Sequence, residues 1–180
     1  MKKKSFVMVL ALVLVFAVAV GGVVAWLTDK TGSVVNTFTV GDINITLTES
    51  PNLDLKMVPG NTITKDPTVT VQPNSEACWL FVKVVKSANF DTFMTYTMAD
   101  GWTALDGQNG VYYREVGATT AATSFDVLKD KQVIVNSDVT KTQLEEVKTA
   151  NQPTLTFTAY AVQKDNINSA ADAWSKIPTP

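Results

Sequence analysis

The chain has 180 residues, 46% of them hydrophobic, with 15 basic and 17 acidic residues, one cysteine and no histidine. Without histidine, it can build neither a histidine-ligated metalloprotease site nor a serine or cysteine nucleophile activated by histidine, and one cysteine cannot form an internal disulfide. A single arginine, Arg114, and the lack of a lysine cluster beyond Lys4 argue against nucleic-acid binding. No glycine-rich phosphate loop is present either, so we expect no cofactor.

The first 25 residues have the pattern of an export signal. Three lysines precede the uncharged run SFVMVLALVLVFAVAV, which corresponds to a basic n-region followed by an apolar h-region. The Gly21–Gly22 pair breaks the helix near its end, and Val23 and Ala25 occupy the third and first positions before a cut, where small residues are required. We therefore predict a signal helix over residues 1–25, removed by a signal peptidase between Ala25 and Trp26.

The same segment has an alternative interpretation as a membrane anchor. The uncharged run from Ser5 to Leu27 has 23 residues, and about 20 apolar residues suffice for a helix to cross a bilayer. No basic stop-transfer cluster follows the run, which favours cleavage and leaves no stable membrane anchor. Removing Lys2–Lys4 leaves 12 basic and 17 acidic residues, a formal charge of −5. We expect a secreted protein, extracellular or at the cell surface.

Beyond Trp26, threonine and valine dominate, and short runs of alternating polar and apolar residues recur between turn signals, which is typical of antiparallel strands. In the first run, Gly41 shifts the phase as a β-bulge would. Pro67 cannot donate to a ladder, so its strand is predicted to be an edge strand or to be interrupted there. The most apolar run, CWLFVKVVK, predicts a central core strand. The predicted strands cover 36–49, 53–58, 62–71, 78–86, 93–99, 102–105, 111–116, 125–128, 132–135 and 153–164.

Turn signals suggest how some of these strands pair. Asp100–Gly101 predicts a tight hairpin between the strands on either side of it. GQNG (107–110) predicts a turn that leads into the next strand, and the tripeptide 129–131 predicts a further hairpin between 125–128 and 132–135.

Two stretches have helical spacing of their apolar residues, TKTQLEEVKTA (140–150) and SAADAWSKI (169–177). Many short strands with two brief helical connections predict an all-β fold, namely a two-sheet antiparallel β-sandwich of jelly-roll type. We expect residues 41–180 to form this domain, and residues 26–40 to form an extended segment between it and the cleaved signal helix.

Few residues suggest chemistry. Calcium prefers oxygen ligands, so 165–168 with Asp172 nearby is a candidate for a weak site, although turn and helix-cap roles explain these residues more simply. Cys78 lies in an apolar strand and is predicted to be a buried, inert thiol. Six aromatic residues are candidates for a sugar-binding platform, but core positions explain them better. They are Trp79, Trp102, Tyr112, Tyr113, Phe157 and Tyr160.

Two blocks within residues 18–72 resemble the TasA/camelysin family of proteins exported by Gram-positive bacteria. The first block has a Gly-Gly pair, a small residue before the cut, an aromatic residue, an aspartate and a strand with the pattern Asn-x-Phe-x-x-Gly-x-Ile-x-Ile. The second block is the segment PGNTITK. The matching residues are Gly21, Gly22, Ala25, Trp26, Asp29, Asn36, Phe38, Gly41, Ile43 and Ile45, then Pro59, Gly60, Asn61, Ile63 and Lys65.

This resemblance implies a jelly-roll protein that is released by a SipW-type signal peptidase. The best-known members polymerise into biofilm matrix fibres, in which the mature N-terminus of one subunit adds a strand to the next. The resemblance therefore implies the same assembly for this chain. The corresponding donor residues here are Val34, Val35, Asn36, Phe38 and Val40. The alternative is that this segment forms the first strand of its own sheet. Other family members are named as metalloendopeptidases, but the usual histidine ligands are absent from this chain.

The leading hypothesis is therefore a secreted, non-catalytic structural protein. It would be a subunit of an extracellular matrix (biofilm) fibre or surface layer, and its partner would be further copies of itself. The alternative is a secreted carbohydrate- or surface-binding module that uses exposed tryptophans or tyrosines, and a metal-dependent peptidase is less favoured.

Overall fold

A computed structural model describes residues 42–51, 55–148 and 150–178, all of which belong to the same structural unit. The described chain is mostly β, every strand pairing in it is antiparallel, and its helices are few and short, so the predicted all-β class is confirmed. The strands are β1 (Ile45–Thr48), β2 (Thr62–Thr64), β3 (Thr68–Val71), β4 (Cys78–Lys86), β5 (Met94–Thr95), β6 (Thr103–Ala104), β7 (Val111–Val116), β8 (Thr123–Asp126), β9 (Gln132–Val135) and β10 (Leu155–Gln163). The helices are α1 (Phe90–Phe93), α2 (Lys141–Glu146) and α3 (Ala170–Trp174), and a 3₁₀ turn covers Lys129–Lys131.

The described strands form three sheets. Sheet I has the order β1-β3-β8, sheet II the order β10-β4-β7-β6, and sheet III the order β2-β9-β5. Several neighbours are far apart in sequence, so most of the pairing is long-range rather than hairpin-like.

Strand β4 lies inside sheet II, between β10 and β7, as its sequence predicted. Its side chains alternate between two apolar layers. Leu80 and Val82 belong to the larger core cluster, whereas Trp79 and Phe81 belong to a second cluster on the other face. Because both faces of the strand are covered, its sequence is continuously apolar instead of alternating.

The larger core is shared by all three sheets. Its fully buried members include Val69 of β3, Val82 of β4 and Val135 of β9. The second cluster lies beneath α3, where Ala173 is fully buried against the other face of sheet II. The β-branched residues that favour strands thus supply most of the packing.

The predicted hairpin around Asp100–Gly101 is wrong, although the turn itself forms. Gly101 has φ +88°, and Trp102 N–H donates to Ala99 O. The two sides of the turn go to different sheets, because β5 pairs with β9 of sheet III while β6 pairs with β7 of sheet II. The turn after it was predicted correctly, since GQNG leads directly from β6 into β7.

The predicted hairpin around residues 129–131 is also wrong. Strand β8 pairs with β3, and β9 pairs with β2 and β5. The 3₁₀ turn between them contains Asp130 and Lys131 at φ +54° and carries the chain from sheet I to sheet III. Val127 and Leu128, which precede it, are buried in the core and account for the change of sheet.

Other predicted strands are shorter than expected. Residues 55–58 are not a strand, and the run 62–71 is split at Pro67 into β2 and β3, which belong to different sheets. The predicted interruption at Pro67 is therefore confirmed. The Pro67 carbonyl nevertheless accepts a hydrogen bond from Val127 N–H, so the backbone at this interruption is still hydrogen-bonded to the residue that follows β8.

The two predicted helices form at the expected places with shorter bounds. Helix α2 begins with a capping box, in which the Thr140 hydroxyl accepts from Gln143 N–H and the Gln143 side chain accepts from Thr140 N–H. Helix α3 is capped by Ser169, whose hydroxyl accepts from Asp172 N–H. No helix among the described residues is long and apolar enough to cross a membrane.

Candidate functional site

Strand β10 forms one edge of sheet II. Its nine residues pair with β4 on one side, and no other strand of the described chain pairs with its second side. Ser87 N–H donates to Thr154 O, and Lys164 N–H donates to Ala77 O. In an antiparallel ladder these bonds direct the backbone groups of the even-numbered residues towards β4 and those of the odd-numbered residues outwards.

The outward-directed residues form a row along this edge. They are Leu155, Phe157, Ala159, Ala161 and Gln163. Each presents one N–H donor and one carbonyl acceptor, which is the arrangement that another strand needs in order to pair. We call this row the β10 edge.

Two apolar pockets lie beside the β10 edge. The first has a volume of about 540 Å³ and is lined by β10, by β2 and by the segment that contains Leu55 and Met57. The second has a volume of about 330 Å³ and lies between Leu47 of β1 and Phe157 of β10. Leu155, Thr156 and Lys65 line both pockets, so the two form one groove, which we call the β10 groove.

Part of the groove wall is apolar but poorly covered. Leu55 is 55% exposed, and Val58 close by is also exposed. Solvent-exposed aliphatic side chains beside an unpaired strand edge are typical of a surface that is covered by a partner.

The charge in the groove is locally neutralised. Lys65 Nζ lies 2.7 Å from Glu49 Oε1 and 5.7 Å from the centre of the Phe157 ring. The Lys65 side chain is only 16% exposed, so its ammonium needs a partner to offset its desolvation. With this ion pair formed, the groove suits a ligand segment that carries no charge.

The opposite side of the domain carries a different cluster. Arg114 of β7 places its guanidinium carbon 4.0 Å from the centre of the Phe125 ring and 5.2 Å from that of Trp102. Trp102 is itself fixed by a hydrogen bond from its indole N–H to Asp126 O at 2.8 Å. Burial lowers the pKa of Arg114 from its usual value.

The candidate calcium-binding carboxylates and the single thiol have structural roles in this fold. Among the described residues, no group of histidine, cysteine, aspartate or glutamate side chains could hold a metal ion. Asp165 accepts from the Gln163 amide and Asp172 accepts from the Ser169 hydroxyl, so these carboxylates serve turn and cap bonding. Cys78 is fully buried, as predicted, and burial raises the pKa of its thiol to about 11.

The six aromatic candidates belong to the two cores or pack against them, which confirms their predicted role. The indoles of Trp79 and Trp102 are buried, and their N–H groups donate to the backbone carbonyls of Ile167 and Asp126. Tyr113 packs against Trp79 with ring centres 5.9 Å apart.

The residues predicted to mediate processing and donor-strand assembly lie outside the described residues. These are Val23, Ala25, Trp26, Val34, Val35, Asn36, Phe38 and Val40. The sequence did predict a strand over 153–164 but not its edge position, since nothing in LTFTAYAVQ distinguishes an edge strand from an inner one. Nor did it predict the aromatic surroundings of Arg114, which depend on three separate segments.

Comparisons of the chain with protein-family models, with curated proteins and with solved structures found no match. The function proposed below therefore depends on the β10 edge, the β10 groove and the sequence pattern of the N-terminal segment.

Proposed function

We propose that this protein is a secreted, non-catalytic structural subunit of an extracellular matrix (biofilm) fibre or surface layer. Residues 1–25 are a signal peptide that a signal peptidase removes, residues 26–40 are the donor strand, and residues 41–180 are a jelly-roll β-sandwich. Each subunit adds its donor strand to the β10 edge of the next one, which gives a homopolymer with no stable membrane anchor.

The observation that carries this proposal is the β10 edge, which runs along a strand of nine residues, with an apolar groove beside it. Strand addition combines main-chain hydrogen bonds, which supply affinity, with pockets for alternate side chains, which supply specificity. Both requirements are met at the same place, because the two pockets of the β10 groove follow the start of β10 and share its side chains.

The donor segment fits this groove in length and charge. An extended strand rises about 3.4 Å per residue, so 15 residues span roughly 50 Å while the nine of β10 need roughly 30 Å. VVNTFTV (34–40) has no charged side chain, which suits a groove where Lys65 is already paired with Glu49. Val34, Phe38 and Val40 share one face of an extended strand and would fill the pockets.

The first test is to purify the chain from Trp26 onward and to look for filaments by negative-stain electron microscopy, with sedimentation to measure the polymerised fraction. We expect filaments whose amount and length increase with protein concentration. Deleting residues 26–38 should abolish them without changing the thermal unfolding of the domain. A chain that remains monomeric at high concentration would overturn the proposal, and would favour pairing of the segment with its own domain.

A matched pair of variants tests the donor face. Phe38→Asp with Val40→Asp places two charges on the face that we assign to the groove, and should prevent filament formation. Thr37→Asp with Thr39→Asp adds the same charge on the opposite face and should be tolerated. Equal effects of the two pairs would contradict insertion of this face.

A further inference from the structure

The guanidinium of Arg114 occupies a slot between two aromatic rings. Its carbon atom lies 4.0 Å from the Phe125 ring centre and 5.2 Å from the Trp102 ring centre. Stacking of this kind holds the planar group in one orientation and limits its rotamers, so it is pre-organised to bind.

Gly101 completes the slot. A Cβ atom at this position would lie 2.7 Å from Arg114 Nη2 and 3.2 Å from its guanidinium carbon. The residue also has φ +88°, a conformation that glycine adopts without strain. Glycine therefore serves two purposes here, since it makes the turn before β6 and leaves room for the guanidinium.

Arg114 has no anionic partner among the described residues. None of the ion pairs in the described part of the chain includes it, whereas lysines at five other positions each contact a carboxylate. Its Nε is buried and has no hydrogen-bond partner among the described residues. Arg114 as a whole is partly buried; charged groups removed from water are usually paired, so a guanidinium without an anionic partner needs an explanation such as a missing ligand.

The slot lies away from the β10 groove. In sheet II, β10 is one edge and Arg114 belongs to β7, next to β6 at the other edge. In sheet I, β1 lines the β10 groove while β8, which supplies Phe125, is the opposite edge. A subunit whose β10 edge is occupied would therefore still present the Arg114 slot.

The backbone beside the slot is also open to a partner. Val127 N–H donates to Pro67 O, which by the antiparallel alternation directs the backbone groups of Ser124 outwards from β8. No strand of the described chain pairs with that side of β8. A fixed cation next to free strand-edge groups is the arrangement expected of a contact with another polypeptide.

We propose that the Arg114 slot binds a side-chain carboxylate of a second copy of this chain and so forms a lateral contact, separate from strand addition. A guanidinium fork matches a carboxylate in shape and charge and can bind it through two parallel hydrogen bonds. The second copy supplies such groups in excess, because the chain without residues 1–25 has 17 acidic and 12 basic residues. Because the chain has a single arginine, a contact that requires a guanidinium can form at only one position on each subunit.

Nuclear magnetic resonance tests the proposal directly, because a chain with one arginine gives one Nε–Hε signal after ¹⁵N-arginine labelling. The chain from Trp26 onward with Phe38→Asp and Val40→Asp is used, so that strand addition does not interfere. Sodium glutarate should shift the signal progressively, and sodium chloride at matched ionic strength should not. Raising the protein concentration tenfold should shift it in the same direction.

Two outcomes would overturn the proposal. No difference between glutarate and chloride would mean that the guanidinium only fills space between the rings. A shift with polygalacturonate but none with protein concentration would assign the slot to an acidic polysaccharide instead of a second copy. Both readings come from unaltered Arg114, so they do not depend on whether a variant folds.

Sedimentation of variants supplies an independent reading. Arg114→Lys keeps the positive charge but loses the planar fork. In the chain used for the resonance experiment, this variant and Arg114→Gln should both lose the lateral association between subunits that increases with protein concentration. Lys86→Gln removes one positive charge from an exposed pair with Asp91 and should leave the association unchanged. Association that survives Arg114→Lys, or that is lost equally in Lys86→Gln, would contradict binding by the fork.

Discussion

Replacing Ala159 by proline tests whether β10 is the edge that accepts the incoming strand. Ala159 lies in the middle of β10, opposite Val82 of β4. Its N–H points away from β4 by the alternation of the ladder, so its loss removes no bond within the domain. Proline is tolerated on an edge strand when its nitrogen faces outwards, and we therefore expect the domain to fold.

The expected effect follows from one missing backbone bond. A hydrogen bond contributes about 1 kcal/mol net, and a partner carbonyl left unpaired in the new ladder costs about 1–3 kcal/mol. A loss of about 2 kcal/mol per added subunit corresponds to a roughly 30-fold weaker addition, since about 1.4 kcal/mol is tenfold in the equilibrium constant. For a linear polymer this weakening raises the concentration at which half of the protein is polymerised roughly 30-fold, and this concentration is the threshold compared below.

The assay is the fraction of protein that sediments as filament, measured across total concentrations for Ala159→Pro and for Ala159→Ser. The serine variant changes the side chain and keeps the N–H, so its threshold should remain near that of the unaltered chain. Thermal unfolding of monomer checks that both variants are folded. If a folded Ala159→Pro variant assembles at the same threshold as Ala159→Ser, the incoming strand does not pair at the β10 edge.

Three further predictions concern the fold. Gly110→Ala should lower the unfolding free energy by about 2 kcal/mol more than Gly107→Ala, because both residues have φ +73° but only at Gly110 would the new Cβ lie 2.4 Å from Val84 O; equal losses in urea unfolding would contradict this. Burial raises the pKa of the Cys78 thiol from 9.0 to about 11, so the folded state holds its proton when the unfolded state has lost it. Stability is therefore kept below pH 9 and lost by roughly 2–3 kcal/mol as the pH rises to 11, and urea unfolding of Cys78→Ala should show a flatter pH dependence. Thr140→Ala removes the cap of α2 and should cost about 1 kcal/mol in the same assay, whereas Thr95→Ala, at an exposed strand position, serves as its control.

Local patterns in the sequence predicted the elements well where one physical cause dominated. The continuous apolar run of β4 indicated a strand covered on both faces, and Pro67 indicated either an edge strand or an interruption, of which the structure has the interruption. The caps at Thr140 and Ser169 are likewise local, so both helices formed where they were predicted.

Pairing partners could not be predicted from turn signals in the same way. Asp100–Gly101 specifies a sharp turn, but whether its two sides pair depends on where the flanking residues are buried. Ala99 N–H bonds to Val127 O instead, because Val127 and Leu128 are drawn into the shared core. The sequence therefore predicts the turn, and only the packing of distant segments decides the hairpin.

In the candidate site, too, local features could be predicted from the sequence, whereas features that depend on long-range packing could not. The proposed donor segment VVNTFTV has a local pattern, because its alternation of polar and apolar residues can be read directly from the sequence. The proposed acceptor is not local, because β10 is an edge strand only through the order of sheet II, and the groove forms only where β1 and β2 approach β10. The Arg114 slot likewise needs two distant segments, since Gly101 and Trp102 come from one turn and Phe125 comes from β8.

The two proposed contacts depend on different interactions, so their contributions can be distinguished in one sample. Strand addition at the β10 edge depends on backbone hydrogen bonds and apolar burial by an uncharged segment, and salt changes these little. A contact between the exposed end of a guanidinium and a carboxylate is screened, since the Debye length falls from about 10 Å at 0.1 M salt to about 3 Å at 1 M. Raising the salt concentration should therefore separate bundled filaments into single ones without dissolving them, so that lateral order is lost while each filament persists.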